Sequence, residues 1–253
     1  MIVLKTAREL ALMKKACELS AGALQAVGKS IEPGISTQEL DRIAYDYIIS
    51  HGGKPNFLGY NGFPATACIS INHEVIHGIP SQKRRLQSGD LVSVDLGAIV
   101  DGYHGDNAFT FACGEISQQA QRLTDITQQS LFKGIEAAVV GGRIGDIGHA
   151  IQSHVEAAGF SVVRDFVGHG IGAKLHEEPE VPNFVKGGRG PRLVPGMTLA
   201  IEPMINEGKP AVTILSDGWT VVTADRSLSA HFEHTVAITE NGPVILTRPP
   251  EDD

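Results

Sequence analysis

Hydrophobic and polar residues alternate along this chain with two periods, one typical of helices and the other of strands. Apolar positions that recur every three or four residues predict amphipathic helices, and short apolar runs between turn residues predict strands. The predicted helices span about 7–28, 37–51, 117–140 and 146–158. The predicted strands span about 66–71, 91–99, 107–112, 161–166, 197–206, 211–215, 219–223, 232–239 and 243–247. Loops rich in glycine and proline are predicted at 52–64 and 186–196.

Three of the predicted helices begin at residues that favour a helix start. Thr6 with Glu9, and Ser36 with Glu39, have the spacing of a capping box, in which each side chain binds the other residue's backbone N–H. Asp146 precedes the apolar stripe of the fourth helix, and we expect it to act as the N-cap there.

Two separate segments recur after the same interval of 107 residues. The helical stripe that begins at Leu40 recurs from Ile147, and residues 85–95 share Arg, Leu and Gly in matching places with residues 192–202. Chance similarity between common patterns is the alternative explanation. One interval shared by two segments favours a duplicated half.

Each half supplies two helices followed by strands. The predicted architecture is therefore α+β, with a mostly antiparallel sheet and helices packed on one of its faces. No stretch has the composition of an interdomain linker, so we expect a single domain over 1–253. Its halves would span about 1–115 and 116–253.

Composition narrows the classes of function. The 253 residues are 42% hydrophobic, which suffices for a sizeable core, and 21 basic against 29 acidic residues give a net charge of −8. An acidic chain without a basic stripe is a poor nucleic-acid binder, and we interpret the cluster at 83–85 as a solvated turn.

The three cysteines form no CxxC pair, so we expect no disulfide. Because no secretory signal or membrane-length apolar run is evident, we expect a cytoplasmic protein without a membrane partner.

Acidic residues inside apolar strands give the first indication of chemistry. Asp95 lies in the run 91–97, and Glu202 lies in the run 199–204. Burying an ionised carboxylate costs several kcal/mol unless it is paired, and neither run has a nearby Lys or Arg. A metal ion is the simplest partner. The alternative is that these side chains point to the solvated face of the sheet.

Further candidate ligands lie near the starts of other strands. Asp106 and Glu233 each open a predicted strand, and the turn at 101–105 would fold Asp106 back beside Asp95. His169 stands between two glycines, which leave its ring unobstructed. This oxygen-rich set disfavours structural zinc, and two divalent ions would offset the repulsion between four carboxylates. A structural Mg²⁺ or Ca²⁺ site is the alternative, but it leaves the histidines without a role.

Six motifs carry a resemblance to a known family. They are Ser70-Ile71-Asn72-x-x-Val75-x-His77-Gly78-Ile79-Pro80, Val94-Asp95-Leu96-Gly97, Asp101-Gly102-Tyr103-His104-Gly105-Asp106, Gly168-His169-Gly170-Ile171-Gly172, Glu202-Pro203 and Glu233-His234-Thr235. With them the sequence resembles, along essentially its whole length, the type I methionine aminopeptidases of the pita-bread metallopeptidase family. The resemblance implies a pita-bread fold, in which pseudo-twofold duplicated halves form one catalytic domain and helices pack on the outer face of an antiparallel sheet.

The resemblance also implies roles for individual residues. Two divalent ions (Co, Mn, Fe, Zn or Ni) would be ligated by Asp95, Asp106, His169, Glu202 and Glu233, with Asp106 and Glu233 bridging both. His77 and His176 would contact the substrate near the scissile peptide, and Glu202 would act as general base. Tyr60, Phe63, Cys68 and Trp219 would build the pocket for a methionine side chain. A monovalent cation near Asn72 and Ser229 is a further expectation.

The implied activity is removal of the N-terminal methionine from nascent proteins and peptides whose second residue is small. We expect a monomer whose contact with the ribosome is transient. Two alternatives stay open: a related pita-bread hydrolase, either proline-specific or amidine-cleaving, and a binding module that has lost catalysis. The presence of all five ligand positions and both histidines favours the peptidase.

Overall fold

The computed structural model describes residues 1–248. All four predicted helices form, and their ends lie within three residues of the predicted ones. The helices are α1 (Ala7–Lys29), α2 (Thr37–Ser50), α3 (Gln118–Ala137) and α4 (Ile144–Ala157). The strands are β1 (Lys54–Pro55), β2 (Ala67–Ile71), β3 (Glu74–Ile76), β4 (Leu91–Val100), β5 (Tyr103–Ala112), β6 (Ser161–Val162), β7 (Gly168–Gly170), β8 (Glu177–Val181), β9 (Thr198–Ile201), β10 (Met204–Asn206), β11 (Val212–Ile214), β12 (Val221–Thr223), β13 (Ser229–His231), β14 (Glu233–Thr239) and β15 (Gly242–Ile245).

The helix starts confirm two of the three capping predictions. Both capping boxes form at the starts of α1 and α2. The prediction that Asp146 is an N-cap is wrong, because Arg143 holds that position. Asp146 stands three residues later, and its carboxylate accepts a hydrogen bond from the Arg143 backbone N–H at 2.8 Å. It therefore corresponds to Glu39 of the first half, the residue of a capping box whose side chain accepts a hydrogen bond from the N-cap backbone N–H.

The predicted strand 197–206 is broken in two. It ends at Ile201 and resumes at Met204, because Pro203 has no N–H to donate to a sheet ladder. The resumed strand, β10, joins a separate three-stranded sheet with β13 and β6. Glu202 therefore lies between two sheets and belongs to neither of the strands that flank it.

The central sheet has nine strands in the order β1-β4-β5-β14-β9-β7-β8, with β2 beside β4 and β15 beside β14. Its pairings are antiparallel, as predicted. Apolar side chains of α1 and α2 pack with β2 and β4, and those of α3 and α4 pack with β9 and β14. None of the helices in residues 1–248 combines the length and apolar character that crossing a membrane requires.

Helices α1 and α3 contact residues at the centre of the sheet. On α1, Ser20 donates a hydrogen bond to the carbonyl of Leu96 and another to the Asn107 side chain. On α3, the Phe132 ring lies 6.0 Å from the ring of His234. Each of these sheet residues is next in sequence to a predicted metal ligand. Because successive strand residues point to opposite faces, the ligands face away from the helices.

The structure reproduces the repeat in its backbone contacts. An isolated bridge joins Ser36 to Arg85, and a second joins Arg143 to Arg192, so both partners are shifted by 107 positions. Helices α2 and α4 are shifted by the same interval at both ends. These matched contacts support duplication of one half, while the boundary near residue 115 stays a prediction.

A buried ion pair fastens the N-terminal segment to the start of β8. Lys5 Nζ lies 2.6 Å from Glu177 Oε2, and the two side chains are 3% and 8% exposed. Replacing Lys5 with methionine should lower the free energy of unfolding by about 3–5 kcal/mol, because the variant leaves a buried carboxylate without its partner. Urea denaturation of the purified variant would measure this change.

Lys186 provides a matched control for that variant. Its ammonium lies 2.8 Å from Glu180 Oε2, but these side chains are 56% and 65% exposed. Lys186→Met should therefore cost less than about 1 kcal/mol. Equal losses in the two variants would show that burial gives the Lys5 pair no special importance.

Candidate functional site

The strand register places three of the predicted ligands on one face of the sheet. Asp95 on β4 lies opposite Ala108 on β5, which in turn lies opposite Glu233 on β14. Directly opposite residues share a face, and so do residues two apart on one strand. Asp106 is two residues from Ala108, so its side chain points to the same face as those of Asp95 and Glu233.

The second half contributes two more side chains to that face. Ala200 on β9 lies opposite both Thr235 of β14 and His169 of β7. Thr235 follows Glu233 by two residues, and Glu202 follows Ala200 by two. The register therefore aligns His169 and Glu202 with the acids of the first half.

The distances show that these side chains meet. His169 Nε2 lies 3.6 Å from Glu202 Oε1 and 3.9 Å from Asp106 Oδ2. Ligand atoms of Asp106, His169 and Glu233 all lie within 4.8 Å of one another. Asp95 lines the same cavity. The alternative in which Asp95 and Glu202 point to a solvated sheet face does not describe this structure, since both face the cavity.

Burial of several acids in one cavity raises their pKa values. Burial raises the pKa of Asp95 to about 7 and that of Glu202 to about 8. The pKa values of Asp106 and Glu233 lie well above the ordinary range, because both carboxyls are buried and near other acids. Within residues 1–248, no Lys or Arg lines the cavity. When ionised, the cluster therefore has no lysine or arginine charge from the described residues to balance it.

The donor set fits divalent metal ions. One carboxylate oxygen each of Asp95, Asp106 and Glu233 is buried without a hydrogen-bond partner in the described residues. His169 Nδ1 lies 2.9 Å from the Gly170 carbonyl, so it is the protonated nitrogen and Nε2 presents its lone pair to the acids. Burial lowers the pKa of His169 to about 3, which keeps that lone pair available. Carboxylate oxygens together with a neutral imidazole nitrogen suit divalent transition-metal ions.

Raising the pH should destabilise the metal-free protein. The folded chain keeps protons on Asp95 and Glu202 up to pKa values of about 7 and about 8, whereas the unfolded chain releases them near 3.8 and 4.5. Their stabilising contribution is complete below those lower values and is lost as the pH rises through the folded pKa values. Urea denaturation in the presence of a chelator, between about pH 5.5 and pH 8.5, would measure the slope. Stability that rises with pH over this window, or a slope unchanged in Asp95→Asn, would contradict the burial of these acids.

A cavity of about 180 Å³ opens beside the acidic cluster. Its walls include every residue predicted to contact substrate: His77, His176, Tyr60, Phe63, Cys68 and Trp219. The rings of Phe63 and Trp219 meet edge to face, with centroids 5.2 Å apart. Phe57 also lines the cavity and was missed, because it lies in an irregular loop where no periodicity marks a side chain as inward-facing.

The two predicted substrate histidines both line this cavity, His176 beside the Tyr60 ring and His77 beside the Trp219 ring. His77 is in the left-handed backbone region (φ 60°), and burial lowers its pKa to about 4. His176 Nδ1 lies 2.7 Å from the hydroxyl oxygen of Tyr60. The His176 ring is also close to that of His169, with centroids 4.2 Å apart. Burial lowers the pKa of His176, so both rings are uncharged at neutral pH.

His231 lies in the site but was not predicted to be a site residue. Its side chain is 1% exposed, and its Nε2 lies 3.7 Å from Glu202 Oε2. The signal was present in the sequence, since His231 precedes Glu233 by two residues.

Comparisons with known proteins identify the family of this chain. The model of metallopeptidase family M24 matches residues 11–240. The methionine aminopeptidase of Clostridium perfringens is 56% identical over 247 residues, covering 98% of this chain and 99% of that protein. Methionine aminopeptidase 1 of Bacillus subtilis is 51% identical over 248 residues, covering 98% of this chain and all of that protein (100%).

A solved structure supports the same assignment. The crystal structure of a methionine aminopeptidase from Thermotoga maritima superposes with a TM-score of 0.96 at 46% identity, covering 98% of this chain and 100% of that one. The predicted pita-bread fold is thereby confirmed. The chain belongs to metallopeptidase family M24 and, within that family, to the type I methionine aminopeptidases.

Proposed function

We propose that this chain is a metal-dependent aminopeptidase that removes methionine from the N-termini of nascent proteins and peptides whose second residue is small. One observation carries the proposal: acids from both halves and His169 converge at the end of a cavity walled by aromatic rings. Such a cavity holds an apolar side chain while the acidic cluster holds the catalytic ions.

Five side chains would hold two divalent ions: Asp95, Asp106, His169, Glu202 and Glu233. The resemblance implies that Asp106 and Glu233 would be shared by the two ions, and each of them, like Asp95, has a buried carboxylate oxygen without a partner in residues 1–248. When bound, the ions polarise a carbonyl and lower the pKa of water to near neutrality. Co, Mn, Fe, Zn and Ni are all candidates, since ligands of this kind accept each of them.

Asn72 and Ser229 would lie beside a monovalent cation. The Ser229 backbone N–H donates to the Asn72 carbonyl at 2.8 Å, so these two residues are neighbours as the prediction requires. Asn72 is also in the left-handed region, with φ 59°. The proposal extends to a cation bound beside this pair.

Glu202 would move the proton during hydrolysis. Its carboxylate lies between the end of β9 and the start of β10 and is 3.6 Å from His169 Nε2, beside the acidic cluster, where a general base would take a proton from water. It would accept a proton from the attacking water and deliver it to the leaving amine. Glu202 and Pro203 lie between β9 and β10 and belong to neither strand.

The two uncharged histidines would act on the substrate's peptide group. His176 would donate to the carbonyl oxygen as negative charge develops on it, and His77 would hydrogen-bond the peptide nitrogen and position it. If the Tyr60 hydroxyl donates to His176 Nδ1, the proton of the neutral ring must reside on Nε2. Tyr60 would thus select the tautomer that can serve as donor.

Replacing Tyr60 with phenylalanine should lower kcat about tenfold, because one lost hydrogen bond of roughly 1–1.5 kcal/mol corresponds to that factor. KM should change little, since the aromatic ring stays in the pocket wall. Steady-state kinetics on a Met-Ala peptide would measure the split. Tyr103→Phe is the matched control, because the Tyr103 hydroxyl contacts Glu9 at 3.0 Å and does not line the cavity. Equal kcat values in wild type and Tyr60→Phe would refute the tautomer role.

The pocket explains the choice of methionine. Phe63, Trp219 and Cys68 form an apolar, polarisable wall that suits a thioether. An uncharged α-amine beside the acidic cluster would restrict cleavage to the chain terminus, because an internal peptide offers no amine there.

The proposal extends to cytoplasmic location, a monomeric state and transient ribosome contact during synthesis. These rest on the sequence and on the chemistry of the substrate, which is the N-terminus of a growing chain.

Metal-reconstituted kinetics would test the function. The metal-free protein, supplied with Mn²⁺ or Co²⁺, should release methionine from Met-Ala-Ser and leave Ala-Pro and creatine intact. Preferred cleavage of Ala-Pro or creatine would support the related hydrolases instead. Absence of any turnover with ions bound would identify a binding module.

A further inference from the structure

His231 is a buried imidazole that the proposed chemistry leaves unused. It ends β13 beside Glu202, which lines the cavity, and is 1% exposed. Neither of its ring nitrogens has a hydrogen-bond partner in the described part of the chain. A buried ring must carry at least one N–H, and leaving such a donor unsatisfied costs about 1–3 kcal/mol. The cost indicates a partner that becomes available in the working enzyme.

Hydrogen bonds hold the backbone of His231 from two sides, and its side chain is packed among other residues with 1% exposure. On one side it pairs with Met204 of β10, which lies two residues after Glu202. On the other side, its N–H donates to Thr110 Oγ1 at 2.9 Å, and that hydroxyl donates to the His231 carbonyl at 2.8 Å. Thr110 also contacts Ser93 Oγ at 2.8 Å. The strand that carries Asp95 is thereby connected to the backbone that carries His231.

The Glu202 carboxylate lies between two imidazoles. Its Oε1 is 3.6 Å from His169 Nε2, and its Oε2 is 3.7 Å from His231 Nε2. The second distance exceeds a hydrogen bond by only a few tenths of an ångström. A small rotation of the carboxylate would bring Oε2 within hydrogen-bond distance of His231 Nε2.

We propose that His231 is a positioning residue that donates its Nε2–H to Glu202 Oε2 and leaves Oε1 free for the metal centre. This inference rests on the proposed function, because it assigns a partner to a carboxylate that both holds an ion and moves a proton. The bond would fix the plane of the carboxylate and prevent Oε2 from turning toward the ions. His231 touches no substrate, so its effect is exerted through Glu202.

Removing the donor should affect metal binding as well as turnover. Partners that orient metal ligands typically contribute 10-fold to 100-fold in metal affinity or activity when they are mutated. We therefore expect His231→Leu to bind Mn²⁺ about 10-fold to 100-fold more weakly than wild type. At saturating Mn²⁺ its kcat should also fall, while KM for a Met-Ala peptide stays near the wild-type value.

Two further variants separate this role from simple packing. His231→Gln keeps an N–H donor and should recover most of the Mn²⁺ affinity that His231→Leu loses. His234→Leu removes a histidine of the same segment, whose Nδ1 lies 2.9 Å from Thr247 Oγ1 on the helix side of the sheet. It should bind Mn²⁺ as tightly as wild type even if its melting temperature falls.

The experiment titrates metal-free wild type and the three variants with Mn²⁺ by calorimetry and follows each with kinetics. Wild type that binds no Mn²⁺ would defeat the proposed function itself. Wild type that binds and cleaves normally, with His231→Leu equal to it in Mn²⁺ affinity and kcat, would overturn only the role of His231. Equal losses in His231→Leu and His231→Gln would overturn it too, because the donor would not be the feature that matters.

A measurement on wild type covers the case in which His231→Leu does not fold. Nitrogen-15 NMR of histidine-labelled, Zn²⁺-loaded protein reports which ring nitrogen carries the proton. A proton on His231 Nε2 is expected, and a proton on Nδ1 alone would overturn the inference.

Discussion

Replacing Asp106 with asparagine should reduce turnover of a Met-Ala peptide by about a thousandfold or more. A ligand shared by two ions supports charge stabilisation worth several kcal/mol in the transition state, and each 1.36 kcal/mol corresponds to a factor of ten. The amide keeps the shape of the side chain but loses its charge, so Mn²⁺ should bind more weakly and in lower stoichiometry. Kinetics and calorimetry on the same preparation would measure both effects.

The same variant should not damage the metal-free fold. Asp106 is 3% exposed among other acids, and its ionisation there is opposed by burial and by the charges of Asp95 and Glu202. An uncharged amide removes that repulsion, so the metal-free variant should unfold at a temperature no lower than wild type. Asp101→Asn is the matched control, because this exposed turn residue (φ 51°) tolerates asparagine in the left-handed region. Near-normal cleavage by Asp106→Asn would rule out the bridging role.

Replacing Glu202 with glutamine should lower kcat by about a hundredfold to ten-thousandfold, the usual range for loss of a general acid–base group. The amide oxygen can still face the ions, so at saturating Mn²⁺ the stoichiometry should stay at two. KM should change little, since the aromatic pocket is untouched. The expected signature is thus a fully loaded but slow enzyme, seen in kinetics at saturating Mn²⁺ together with metal analysis.

Glu240→Gln serves as the matched control for that change, since Glu240 is exposed just after β14. It should match wild type in kcat and in Mn²⁺ affinity. A Glu202→Gln variant that holds two ions and retains wild-type kcat would place the proton-transfer group elsewhere.

Sequence periodicity was sufficient to predict the helices and the long strands. Helices such as α2 extend over several turns, so their apolar stripes are unambiguous, and residues such as Ser36 and Glu39 mark their starts. The acidic site could be predicted from the sequence for a related reason. An acid in an apolar strand is costly, and Asp95 in the long strand β4 was therefore conspicuous.

Short strands could not be predicted from sequence periodicity. β7 has three residues, Gly168–Gly170, and owes its extended form to pairing with β8 and β9 rather than to its own composition. Likewise, the break at Pro203 could have been anticipated from the missing N–H, but the transfer of the chain to another sheet depends on contacts distant in sequence.

The part of the site that was missed depends on tertiary contacts. Phe57 enters the cavity wall because the loop at 52–64 folds over it, and a loop carries no periodic signal. His231 lies on the ligand face by alternation from Glu233, but its proximity to Glu202 arises from the pairing of β10 with β13. Register between distant strands is set by the folded core and not by either segment alone.

Anomalous diffraction from crystals of the Mn²⁺-loaded protein, recorded at the manganese edge, tests most directly whether acids from both halves hold a pair of ions. We predict two anomalous peaks about 3.5–4 Å apart, with Asp106 and Glu233 contacting both and His169 contacting one. A single peak outside this cluster, or carboxylates surrounded by water alone at saturating Mn²⁺, would contradict a dinuclear centre at this site.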